Sequence, residues 1–126
     1  MSRNRDLLPR FMSLMKLHGA LLAKGRLTAI QFLTLFRDGL YYRIGHHSDE
    51  LAMMIKEVFR KKGYRSLNYS PTNQQFFILP NHVIDQLKEN VGFELWGPRG
   101  EKESIVRFVT DWSTTIEDVK AMLNLI

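Results

Sequence analysis

Cysteine is missing from all 126 residues, which excludes disulfides, thiolate metal sites and a cysteine nucleophile, and fits a reducing compartment. Four prolines and eight glycines are too few for a collagenous or low-complexity chain. With 44% hydrophobic and 25% charged residues, wholesale disorder is excluded as well. Long apolar runs are also lacking. The longest uncharged one, Leu27–Phe36, falls far short of the roughly 18 residues needed to cross a bilayer. Asp6, Pro9, Arg10 and Lys16 interrupt the opening segment, so no secretory leader is expected there, and the expected setting is cytoplasmic with no membrane partner.

The charge that is present is unevenly placed. Residues 1–26 hold six bases (Arg3, Arg5, Arg10, Lys16, Lys24, Arg26) against the single acid Asp6, which accounts for the whole net charge of +5. Such an arm suits an anion, whether nucleic acid, an acidic lipid face or a phosphate, and equally suits a solvated helix face. Phe11 is the only aromatic among those bases, whereas base-stacking platforms need several, so nucleic acid is not the expected partner.

The first half reads as helical. Leu8, Phe11, Met15 and His18 share one helical face that Gly19 interrupts, and Leu27–Phe36 is apolar around most of a helix, which predicts burial. Leu51, Met54, Ile55, Val58 and Phe59 follow the i, i+3, i+4, i+7, i+8 spacing of an amphipathic helix, ended by Lys61, Lys62 and Gly63. Beyond Gly63 the texture changes. Ser66–Tyr69 and Gln75–Leu79 read as strands around the turn Ser70-Pro71-Thr72-Asn73, and a short helix opening at Pro80-Asn81 carries Val83, Ile84 and Leu87. Phe93–Trp96 and Ile105–Val109 are two further strands. A last helix starts at a capping box of Thr114 and Glu117 and buries Ile116, Val119, Met122 and Leu123. The fold class is therefore α/β in the α+β sense: N-terminal helices, residues 1–62, then a β-β-α-β-β-α domain over 63–126, in a single compact unit.

Few residues carry recognisable chemistry. Gly19…Lys24-Gly25-Arg26 has its lysine before the second glycine and lacks a following Ser/Thr, so it is no P-loop. His46 and His47 diverge by about 100° on a helix and have no third ligand cluster, so no metal site is expected. Ser113, Thr114 and Thr115 lack a nearby histidine and fit capping better than nucleophilic catalysis. In Ile105-Val106-Arg107-Phe108-Val109, strand alternation puts Arg107 on one face with Ile105 and Val109. A guanidinium there must reach solvent as an edge charge or meet an anion, ideally a carboxylate.

Ser70-Pro71-Thr72-Asn73 before an apolar strand, then Ile105 through Thr115 leading into an acidic-capped helix, closely resembles the C-terminal end of threonine aldolases, which share a pyridoxal-phosphate family with aromatic amino-acid β-eliminating lyases. Met15 through Arg26 is similar to that family's segment just after the cofactor lysine, so the resemblance covers essentially the whole chain. It implies the small domain of a fold-type-I pyridoxal-phosphate enzyme with its connecting helices, the large cofactor-binding domain being absent from these residues. It implies too that Arg107 holds the substrate α-carboxylate, that Lys16 lies near the active-site mouth, also on the substrate side, and that Lys24 stands near a cofactor-binding cation. Ala20, Leu21 and Leu22 depart from the glycines many members have there. None of the eight lysines stands in the Ser-x-x-Lys setting expected of the Schiff-base residue. The resemblance therefore implies a lyase fragment of amino-acid metabolism, with no catalytic residue of its own and no activity alone. Its partners would be an amino-acid substrate in the full enzyme, and either the large domain or a second copy against Leu27–Phe36. The competing readings are a small basic α/β module binding nucleic acid or an acidic partner through residues 3–26, and a fragment with no function of its own.

Overall fold

The computed structural model describes Asn4, Asp6 and residues 9–126. Leu8, Arg3 and Arg5, named above, lie outside the described residues. The chain divides into two compact units, one ending at Asp38 and the other spanning Gly39–Ile126. This boundary differs from the expected division at 62/63 within one compact unit.

The first unit holds helices α1 (Phe11–Leu17) and α2 (Arg26–Phe36). Gly19, at φ 66°, follows the end of α1, a backbone position that glycine takes without steric cost. The expectation that Leu27–Phe36 is buried is not met. No residue of α2 is buried, and Leu27, Phe32 and Leu33 are all more than half exposed. A helix apolar all round needs partners on several sides, and α2 has too few neighbours for that. Asp38 (φ 54°) and Gly39 (φ 69°) are consecutive left-handed residues, and this backbone breaks the helical run after α2.

In the second unit, α3 (Leu40–Lys61) buries Leu51, Ile55 and Phe59 of the predicted stripe, with Ala52 beside them, while Met54 and Val58 are only half-buried. This stripe joins α3 to the sheet. Its end is closed by Tyr64 N–H donating to the Phe59 carbonyl (3.0 Å) and Gly63 N–H to that of Arg60 (3.0 Å), with Gly63 at φ 82°. Four antiparallel strands follow: β1 (Arg65–Ser66), β2 (Gln74–Pro80), β3 (Glu94–Leu95) and β4 (Glu103–Val109), in the order β1-β2-β4-β3. Helices α4 (Asn81–Leu87) and α5 (Ile116–Leu123) complete the β-β-α-β-β-α order that the sequence predicts. Alternation along β2 and β4 buries Phe77, Leu79, Val106 and Phe108 against Leu51, Ile55 and Phe59 of α3, Val83, Ile84 and Leu87 of α4, and Val119 and Met122 of α5. All three helices thus cover one face of the sheet, and the opposite face is left open.

The start of α5 lies one residue later than predicted. Thr115 is the N-cap and Asp118 the N3 residue, each side chain bonding the other's backbone N–H (2.9 and 3.1 Å). Thr114 is turned to Asp111 instead: its hydroxyl oxygen accepts from the Asp111 N–H (3.0 Å), while its N–H and hydroxyl, like those of Ser113, donate to Asp111 Oδ1. Of the four residues expected to be buried here, Val119 and Met122 are, Leu123 is half-buried, and Ile116 is 44% exposed. The Thr115 hydrogen bonds, chiefly the hydroxyl's, hold the Asp118 carboxyl below the usual carboxylate range. A lowered folded-state pKa contributes stability that is fully present above the unfolded pKa and is lost as pH falls through the folded one. Thr115→Ala is expected to cost about 1 kcal/mol at neutral pH and to flatten the acid limb of the stability profile. Urea titrations between pH 3 and 7 check this, and a variant whose deficit stays constant across that range would contradict the cap assignment.

Candidate functional site

The open face of the sheet carries the best-formed cluster of charge. Register sets Arg107 of β4 between Phe76 of β2 and Glu94 of β3. Residues directly opposite across antiparallel strands project to the same side, so three strands contribute to one surface. Arg107 Nη1 donates to Gln74 Oε1 (3.2 Å), and Nη2 donates to the Glu94 carboxylate. The guanidinium carbon stands 4.9 Å from the centre of the Trp96 ring, in cation–π range, and Trp96 in turn meets Phe76 edge-on at 5.2 Å. The Arg107 side chain is only 21% exposed, whereas that of Glu94 is 62% exposed. Arg107 Nε is fully covered and has no hydrogen-bond partner among the described residues. An unsatisfied buried donor of this kind costs about 1–3 kcal/mol, and a ligand that accepts from it recovers that cost.

The edge-charge alternative for Arg107 does not hold, since β4 is flanked by strands on both sides and the Arg107 side chain is largely covered. The sequence singles out Arg107 but not Glu94, Gln74 or Trp96. Alternation within Phe93–Trp96 does put Glu94 and Trp96 on one face, but only the β3–β4 register brings them to Arg107.

Lys16 and Lys24 belong to the first unit, and Arg107 to the second. Lys16 sits in the last turn of α1, where a cation opposes the helix dipole, and Lys24 lies just before the N-cap Gly25 of α2; both are exposed. His46 forms an exposed i, i+4 contact with Glu50 (3.4 Å). His47 Nε2 lies 2.8 Å from the Thr114 carbonyl and donates to it, tying α3 to the loop before α5. Thr110 reinforces that tie, its hydroxyl donating to the Ser48 carbonyl at 2.6 Å. Among the described residues no three His, Cys, Asp or Glu side chains cluster as metal ligands would. No helix of the described residues is long and apolar enough to cross a membrane.

A covalently held aldehyde cofactor needs a sheltered lysine, with an acid placed for its ring nitrogen. None of the eight lysines is buried; Lys56, the least exposed, donates to the Ser70 carbonyl (2.9 Å) and stacks on Tyr69. The residues of this chain do not form such a site by themselves.

No protein-family model matches the chain, and no curated protein matches it in sequence. Solved structures do. A four-stranded antiparallel sheet with helices on one face, preceded by further helices, is the small-domain architecture of fold-type-I pyridoxal-phosphate enzymes. Within that class the chain resembles part of threonine aldolase: the Leishmania major enzyme superposes with a TM-score of 0.85 at 32% identity, over 93% of this chain and 34% of that one. The 8-amino-7-oxononanoate synthase of Francisella tularensis, at 14% identity and a TM-score of 0.55 over 79% of this chain and 29% of that one, shares the fold alone. The chain thus spans about a third of the length of the structures it matches.

Proposed function

We propose that the chain is the C-terminal part of a pyridoxal-phosphate-dependent threonine aldolase or β-eliminating lyase, and that Arg107 holds the α-carboxylate of its amino-acid substrate. The observation that carries this reading is Arg107 itself. It is a largely covered side chain, its guanidinium positioned by Gln74 and Trp96, with one carboxylate already on its fork and a second donor unused. Guanidinium is suited to two-point carboxylate binding, and its positive charge cannot be titrated away. Lys16 and Lys24 are proposed to add cationic surroundings for the carboxylate and for the cofactor phosphate, in a chain that also carries the cofactor-binding domain. The exposed apolar surface of α2 is proposed to pack on that domain or on a second copy. The likeness to threonine aldolase favours this reading over a nucleic-acid module.

The 126-residue chain is expected to be inactive alone. Incubated with pyridoxal phosphate and then borohydride, it should give no stoichiometric adduct on any one lysine by peptide mass mapping. Joined to a fold-type-I large domain, it should support cleavage of a β-hydroxy amino acid. A single, fully labelled lysine in the isolated chain would overturn the first expectation, and lack of any lyase activity in the joined protein would count against the function.

A further inference from the structure

Arg107 and Glu94 are unequal partners. The guanidinium is anchored by Gln74 from one side and by the Trp96 ring from another, and the Arg107 side chain as a whole is about four-fifths covered. Glu94 sits on the two-residue strand β3, which pairs only with β4, and its carboxylate has no other partner among the described residues. With its side chain mostly in solvent, it can leave by a side-chain rotation at little cost in packing. Its contact is with Nη2, so the buried Nε stays unsatisfied. A free carboxylate spanning Nε and Nη2 would satisfy both donors, which Glu94 does not.

We infer that Glu94 is an internal carboxylate latch on the Arg107 fork, occupying it until a ligand carboxylate displaces it. This rests on the reading of Arg107 as a carboxylate-binding residue and adds a competitor built into the fold. A tethered group competes at an effective concentration set by its short reach, so it weakens every carboxylate ligand by a common factor. The latch keeps the guanidinium in its ligand-ready rotamer on Trp96, and it sets a threshold that weakly binding anions do not pass. Glu94 therefore sets how tightly the fork holds any carboxylate, leaving the ranking among carboxylates unchanged.

The experiment titrates the 126-residue chain with sodium acetate at constant ionic strength, following the Arg107 Nε–H signal by nitrogen-15 NMR, for the parent, Glu94→Gln and Glu94→Ala. Both variants change an exposed edge-strand side chain, so the fold is expected to persist in at least one. The latch predicts that removing the Glu94 charge tightens acetate binding roughly three- to tenfold, the size expected for losing one partly exposed ion-pair competitor. It also predicts a larger saturating displacement of the Nε–H signal in the variants. Equal acetate affinity in all three proteins would overturn the latch while leaving the carboxylate site standing. An Nε–H signal indifferent to acetate in every protein would overturn both.

Discussion

Replacing Arg107 by lysine, in a chain that also carries the cofactor-binding domain, is expected to lower kcat/KM for the amino acid by about 30- to 1000-fold, the equivalent of about 2–4 kcal/mol. Lysine keeps the charge but loses the planar fork, so one of two hydrogen bonds to the carboxylate disappears. It also loses the flat face that lies against Trp96 at 4.9 Å, so the remaining cation is less well fixed. In the isolated chain the same change should shift unfolding by less than about 1 kcal/mol, because it trades a partly exposed pair with Glu94 for a weaker one and relieves the unsatisfied Nε. Steady-state kinetics and urea unfolding of the two proteins test both halves. Unchanged kcat/KM, or a fragment that unfolds, would sink the assignment.

Core disruption should give the largest stability effect. Phe59 is fully buried, with its ring 4.5 Å from that of Phe77 and 5.4 Å from that of Phe108, and with Tyr64 at 5.6 Å. It is the point where α3 meets both long strands. Phe59→Ala is expected to destabilise the second unit by about 3–5 kcal/mol, transfer and cavity terms together. Domains of this size have about 5–15 kcal/mol in all, so most of the variant's cooperative transition should be lost. Phe32→Ala, on the exposed surface of α2, is expected to stay within about 0.5 kcal/mol of the parent. Thermal melts followed by near-ultraviolet dichroism would show the contrast. A deficit below about 1.5 kcal/mol for Phe59→Ala would mean that the aromatic stack closes over the gap.

The core was largely readable from spacing, because burial on one face imposes a period on the residues that face it. The α3 stripe and the Val106/Phe108 alternation each follow from that rule, and β4 then places Arg107 on the open side without further information. What the sequence hid depends on partners distant in the chain. Glu94 and Gln74 reach Arg107 through strand register, which no local pattern encodes. The α5 cap moved by one residue because Asp111 competes for Thr114, a choice between two local hydrogen-bonding solutions of similar merit. The apolar character of Leu27–Phe36 overstates its burial, since hydrophobicity shows that a helix wants a neighbour but not that the same chain supplies one.

The sheet also has an unusual economy at its margins. Both outer strands, Arg65–Ser66 and Glu94–Leu95, are two residues long, and Arg65 is tied to Glu103 by a 2.8 Å ion pair on that border. A border so brief and charged offers almost no ladder of free amides and carbonyls on which another chain could template. Runaway strand-to-strand polymerisation, the ordinary hazard of a small sheet separated from its neighbours, is thereby disfavoured. Any clumping of this polypeptide should instead be amorphous and driven by its exposed apolar side chains, reversible on dilution and blind to amyloid dyes.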